Sequence, residues 1–130
     1  MPKIKYPTKI QIGAKRYRIH WDAESWVHRP DERKEESCWG VTDHKRLGIW
    51  INPELHPINK RETLLHEILH CLFACTGGDV ATDALPKHEH ASEAEEYIVS
   101  RLEAPLLAVL TDNPAALAFI VVGADKDRTE

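Results

Sequence analysis

Apolar and polar residues alternate twice near the start of the chain. Thr8–Ile12 and Arg16–Trp21 flank Gly13-Ala14-Lys15, and Ile10, Ile12, Tyr17, Ile19 and Trp21 keep one parity within each run. A period of two is the mark of a half-buried strand, so these runs predict a β-hairpin. Residues 22–36 break the pattern. Pro30 and the run Asp31-Glu32-Arg33-Lys34-Glu35-Glu36 predict a solvated, mobile connection without a functional site. A second strand pair is expected at Cys38–Thr42 and Leu47–Ile51, turning through Asp43-His44-Lys45-Arg46. Asn52-Pro53 ends it, because proline cannot donate to the ladder.

The period then changes to that of a helix. Leu65, Ile68, Leu69, Leu72 and Phe73 recur at helical spacing, after a short turn closed by Pro57. Asn59 with Glu62 predicts a capping box at the start, and Gly77-Gly78 a stop at the end. Residues 77–90, broken by Pro86, read as a loop. A second helix is expected from Ser92 to Leu110, with Val99, Leu102, Leu106 and Leu110 on one stripe. Pro105 should kink or split it, and Asp112-Asn113-Pro114 should stop it. Leu117–Val122 fits a strand or a short helix equally, and the tail from about residue 124 is expected to be flexible.

Composition bounds what these elements can build. The 130 residues suit one domain, 1–130, with one hydrophobic core. A formal charge of −4 gives no general pull toward nucleic acid or an anionic membrane. The basic stretch Lys3, Lys5, Lys9, Lys15, Arg16 and Arg18 reads as the solvated face of the hairpin. The lysines at the start are not followed by an apolar segment of the signal-peptide kind. The longest apolar run, Ala115 to Gly123, falls far short of the roughly 20 residues of a membrane span. The three cysteines, Cys38, Cys71 and Cys75, leave one unpaired in any disulfide scheme, and Cys71 and Cys75 are expected in the core. A cytoplasmic protein that does not enter a membrane is the expectation.

The chemistry is concentrated in Thr63-Leu64-Leu65-His66-Glu67-Ile68-Leu69-His70, which contains the pattern HExxH. Residues four apart share one face of a helix, so the two imidazoles can reach a single Zn²⁺. Glu67 lies about 100° further round than His66, placing its carboxylate to act on a metal-activated water and not on the metal itself. A third protein ligand is then required. Thr76 stands where a metzincin carries its third histidine, which excludes that class. His88, His90, Glu93, Glu95 and Glu96 are the candidates, and helix geometry leaves Glu95 and Glu96 undecided. His20, His28, His44 and His56 have no spacing that makes a site, and Trp39 and Trp50 are expected as core or cleft walls.

Three segments resemble the small phage-encoded and bacterial HExxH proteins related to the ImmA/IrrE metallopeptidases, of the minigluzincin type. They are Cys38-Trp39-Gly40 with Ile49-Trp50-Ile51-Asn52, then Thr63–His70, then Glu96-Tyr97-Ile98-Val99 through Leu102 to Asp112-Asn113-Pro114. The similarity spans roughly residues 8–114. In that family the third ligand is a glutamate on the next helix, three residues before a small apolar position. The resemblance therefore implies Glu96, with Val99 as that position. A rival resemblance, to SprT-like proteins, implies His88 or His90 from the intervening loop. The chain lacks the glycine-histidine-glycine sequence of that loop and the cysteine pairs of a zinc ribbon.

The expected fold is α+β and zincin-like: a small antiparallel sheet packed on the HExxH helix and a second helix. The expected function is zinc-dependent hydrolysis of a protein or peptide substrate. His66, His70 and Glu96 hold one Zn²⁺, Glu67 is the general base, and Leu47–Ile51 is the rail for an extended peptide. The alternative is a catalytically inactive, metal-stabilised protein that binds a host or regulatory protein. DNA binding through the basic hairpin is the weakest reading. The sequence carries no signal for a particular substrate or for oligomeric state.

Overall fold

A computed structural model of the chain describes residues 3–30, 39–75 and 91–127. The first hairpin forms where the alternation places it. Strand β1 (Lys9–Ile12) runs antiparallel to β2 (Lys15–His20), with Ile10 opposite Tyr17. Strands β3 (Gly40–Asp43) and β4 (Gly48–Ile51) make the second antiparallel pair. The two pairs join into one four-stranded sheet of order β1-β2-β4-β3. β2 and β4 run parallel, with Ile19 opposite Ile49, so the sheet is mixed and not wholly antiparallel as expected. The cause is the connection. The chain passes through helix α1 (Ala23–Val27) to the far edge, lays down β3, and returns as β4 into the place beside β2.

Helix α1 lies inside the stretch read as an irregular connection. Its cap explains it: Asp22 accepts the Ser25 N–H at 2.9 Å, satisfying one of the free donors of the first turn. The HExxH helix, α2 (Pro57–Cys75), begins before the expected cap at Asn59. The fixed φ of Pro57 suits a first helical turn, and His56 Nδ1 accepts the Ile58 N–H at 3.3 Å.

The buried face of α2 carries Thr63, Leu64, Glu67, Ile68, Cys71 and Leu72. It packs on the sheet face formed by Ile10, Ile12, Tyr17, Ile19, Ile49 and Ile51. Leu65 and Leu69, expected on the inner stripe, are 38% and 37% exposed. The stripe is turned because two polar side chains, Thr63 and Glu67, face the sheet, which hydropathy alone places outside. Cys71 is buried as expected, whereas Cys75 is exposed. Trp39 is exposed, and Trp50 stacks on His20 with centroids 4.7 Å apart, so neither belongs to the core.

Helix α3 (Ala91–Asp112) continues through Pro105 without splitting. The missing amide leaves the Arg101 carbonyl without its helical donor on an exposed turn, where solvent can replace it. Val99 is exposed, and Leu102, Leu106 and Val109 make the packing contacts. Helix α4 (Pro114–Val122) resolves the last apolar run as helical. Between α3 and α4, the Asn113 amide clamps the outer edge of β1. Its Oδ1 accepts the Gln11 N–H and its Nδ2 donates to the Gln11 carbonyl, both at 2.8 Å. Arg61 of α2 donates to the Ile120 and Val121 carbonyls at the end of α4, where a cation also complements the helix dipole.

The segment after α4 makes contacts as far as Asp127, and the rest of the tail that was expected to be flexible from about residue 124 lies outside the described residues. Ala124 is buried in the core, and Asp125–Asp127 form a 3₁₀ turn. Ile4 N–H donates to Asp125 Oδ2 at 3.1 Å, Asp125 N–H to the Ile4 carbonyl at 2.9 Å, and Tyr6 Oη–H to Asp127 Oδ2 at 2.6 Å. Among the described residues no single helix is long and apolar enough to cross a membrane.

Candidate metal centre

The site is built on the middle of α2. His66 and His70, one turn apart, stand on its solvent side, while Glu67 turns toward the sheet and is only 4% exposed. The His66 and His70 rings meet edge to face, with Nε2 3.1 Å from Nε2. Two imidazoles bound to one tetrahedral zinc at the usual bond length hold their nitrogens about 3.4 Å apart. The two ring nitrogens are hydrogen-bonded to each other at a separation close to that spacing, and imidazole nitrogen is an ordinary zinc donor.

Glu67 is held by strand β3. Thr42 Oγ1 donates to Glu67 Oε1 at 2.8 Å, while Oε2 lies 3.9 Å from His66 Nε2. One carboxylate oxygen is anchored and the other lies on the side of His66. The approach depends on Gly40. A Cβ on Gly40 would sit 2.7 Å from Thr63 Cγ2 and 3.2 Å from Glu67 Oε2. Glycine inside a strand commonly marks such a close approach.

A second group of polar side chains includes Cys71, the residue after His70. Tyr17, fully buried on β2, has its hydroxyl 2.9 Å from His44 Nδ1. Burial and the neighbouring Cys71 push the Tyr17 hydroxyl up to about 12. Burial pushes the Cys71 thiol up to about 12 as well. His44 is held below the ordinary imidazole range by desolvation, then by the charges of Lys15 and His70, against the opposing pull of Asp43 and Glu67.

Of the predicted site residues, the structure brings His66, Glu67 and His70 together. Glu96 lies on the exposed side of α3, where it accepts a hydrogen bond from Ser100 Oγ at 3.3 Å. Among the described residues no set of three or more His, Cys, Asp or Glu side chains is grouped so as to hold a metal ion. His88 and His90 fall outside the described residues, as does the side chain of Glu95. The expected peptide rail, Leu47–Ile51, is corrected: β4 is paired on both sides, by β2 and β3. The edge strand beside the site is β3.

Sequence reasoning missed Gly40, Thr42, Tyr17 and His44 as parts of this region. Only Gly40, a glycine within a predicted strand, carried a signal. No protein-family model, curated protein or solved structure matches the chain.

Proposed function

We propose that the chain is a zinc-dependent peptidase. The observation that carries the reading is the convergence of His66 and His70 at 3.1 Å beside a buried carboxylate, Glu67, with one anchored oxygen. His66 and His70 would hold the zinc, joined by Glu96 from α3 as the family resemblance implies. The ion, when bound, supplies Lewis-acid polarisation of a carbonyl and acidifies water. The remaining work belongs to the chain's own side chains. Glu67 accepts a proton from the attacking water at its free oxygen and returns it to the leaving amine. Thr42 holds the other oxygen, so the carboxylate keeps its orientation between the two transfers. An extended peptide adds to the outer edge of β3, in register with the strand that carries Thr42.

The edge position also explains why Gly40 lies where it does. It lets the β3 backbone, and any peptide paired to it, run close over the helix turn bearing Glu67. The zincin-like character of the fold rests on this relation of edge strand to HExxH helix.

A second reading uses the same residues without chemistry. Glu67 ties α2 to β3 through Thr42, which suits a metal-stabilised binding protein equally well. Substitution Glu67→Gln separates the two. On the peptidase reading the variant keeps zinc and its fold but loses hydrolysis of a quenched-fluorescence peptide library by at least about a thousandfold. Equal cleavage by parent and variant contradicts it.

A further inference from the structure

We propose that the sheet face turned away from α2 binds single-stranded nucleic acid, with phosphates on Lys9, Arg16 and Arg18 and a base against the His20–Trp50 ring pair. The inference is independent of the peptidase reading, since none of these side chains belongs to the imidazole pair or to its carboxylate.

Strand alternation creates the face. Ile10, Ile12, Tyr17, Ile19, Ile49 and Ile51 are buried on the inner side. The intervening Lys9, Arg16, Arg18, His20 and Trp50 therefore point outward. Lys9, Arg16 and Arg18 are exposed, and His20 and Trp50 are half-buried. The register gathers them. Lys9 stands opposite Arg18, Arg18 opposite Gly48, and His20 opposite Trp50, so cations and rings occupy adjoining rows across β1, β2 and β4. Gly48 has no side chain, and the six-membered ring of Trp50 fills the space above it, where a Cβ would collide with Cη2 and Cζ3. Trp50 thus reaches along β4 into the row of Lys9 and Arg18. The same ring stacks on His20, with centroids 4.7 Å apart and planes 18° apart. The fold sets this ring pair beside a basic stretch that stood alone in the sequence.

The charge here runs against that of the chain, whose formal net charge is −4. Lys9 and Arg18 are directly opposed, and like charges so placed destabilise a strand pair. Among the described residues no carboxylate lies within ion-pair distance of Lys9, Arg16 or Arg18. The acids at the margins are engaged elsewhere. Asp43 lies 3.7 Å from Arg46 and accepts the Lys45 and Arg46 N–H groups, and Asp22 accepts the Ser25 N–H. A bound polyanion relieves the opposed cations. Bases supply the flat faces that an aromatic pair accepts, which lipid headgroups and acidic side chains do not.

The test is fluorescence anisotropy of a labelled oligothymidylate of about 15 nucleotides, titrated with the full chain across a salt series, with folding checked by circular dichroism. The parent should bind in a salt-sensitive manner. Lys9→Gln and Arg18→Gln should each weaken binding and reduce the slope of log K against log salt by about 0.7. Trp50→Leu should weaken binding about 5- to 150-fold with the slope unchanged. An abasic strand of the same length carries the phosphates without the bases, so it reads the stacking even where Trp50→Leu does not fold. The parent should bind it at least about fivefold more weakly than oligothymidylate. No salt-sensitive binding by the parent, or full binding by both glutamine variants, overturns the proposal. Equal affinity for the abasic strand overturns the role of the rings. Polyglutamate, or vesicles of phosphatidylcholine and phosphatidylserine in equal parts, bound as tightly as oligothymidylate would overturn nucleic acid as the occupant.

Discussion

Thr42 Oγ1 donates a 2.8 Å hydrogen bond to Glu67 Oε1, joining the edge strand of the sheet to the HExxH helix across 25 residues of sequence. Glu67 is 4% exposed, so its carboxylate depends on this bond more than a surface acid would. Replacing Thr42 with Val preserves shape and removes the donor. A hydrogen bond to a charged group is worth about 1.5–3 kcal/mol, and a loss of that size is expected in chemical denaturation. Peptide cleavage should fall on the order of tenfold while zinc content stays at the parental level, because the histidines are untouched. Unchanged stability and turnover in Thr42→Val would show that the hydroxyl does not position the base.

Gly40→Ala tests the packing that brings strand and helix together. The new methyl would stand 2.7 Å from Thr63 Cγ2, and Thr63 is itself buried and branched at Cβ, so it has little room to swing aside. Overpacking of this kind costs about 1–3 kcal/mol. The variant should unfold at lower urea concentration and should also lose activity, since Glu67 Oε2 lies 3.2 Å from the same position. A stabilised Gly40→Ala, as is usual for an unconstrained glycine in a strand, would contradict the close approach.

The pH dependence of folding should carry the mark of His20. Burial, and then the charge of Arg18, lower its pKa below the ordinary 6.5, against a weaker opposing pull from Asp22. A histidine with a depressed folded pKa contributes stability above the unfolded value and loses it as pH falls through the folded one. In metal-free protein, stability should therefore decline as pH drops below about 6.5, before carboxylates titrate. His20→Gln should lessen the decline in that window and leave the part that His44, lowered in the same direction, contributes. Asp22 and Asp43, whose carboxyls are held low by backbone N–H donors, act in a separate and more acidic range. A decline unaltered in His20→Gln would assign it to other groups.

The HExxH signal was legible because its spacing is local: four residues of helix suffice to put His66 and His70 on one face. The first hairpin was legible for the same reason, through the parity of Ile10, Ile12, Tyr17 and Ile19. What the sequence concealed depends on contacts between distant segments. The parallel pairing of β2 with β4 follows from the path taken around the sheet, which no local pattern encodes. The inward turn of Thr63 and Glu67 ran against hydropathy and moved Leu65 and Leu69 to the surface. His44 looked like one polar residue in a polar turn, and only the hydroxyl of Tyr17, 27 residues away, distinguishes it. The third ligand stays a matter of resemblance, with Glu96 proposed from α3.

Everything proposed for the site depends on His66 and His70 sharing one metal ion. The direct measurement is elemental analysis of the purified full chain after dialysis against zinc and removal of loose metal. Parent protein should hold close to one zinc per chain, His66→Ala and His70→Ala should each lose it, and Glu67→Gln should keep it. Parent protein without stoichiometric zinc, or zinc retained when both histidines are replaced, would contradict the account.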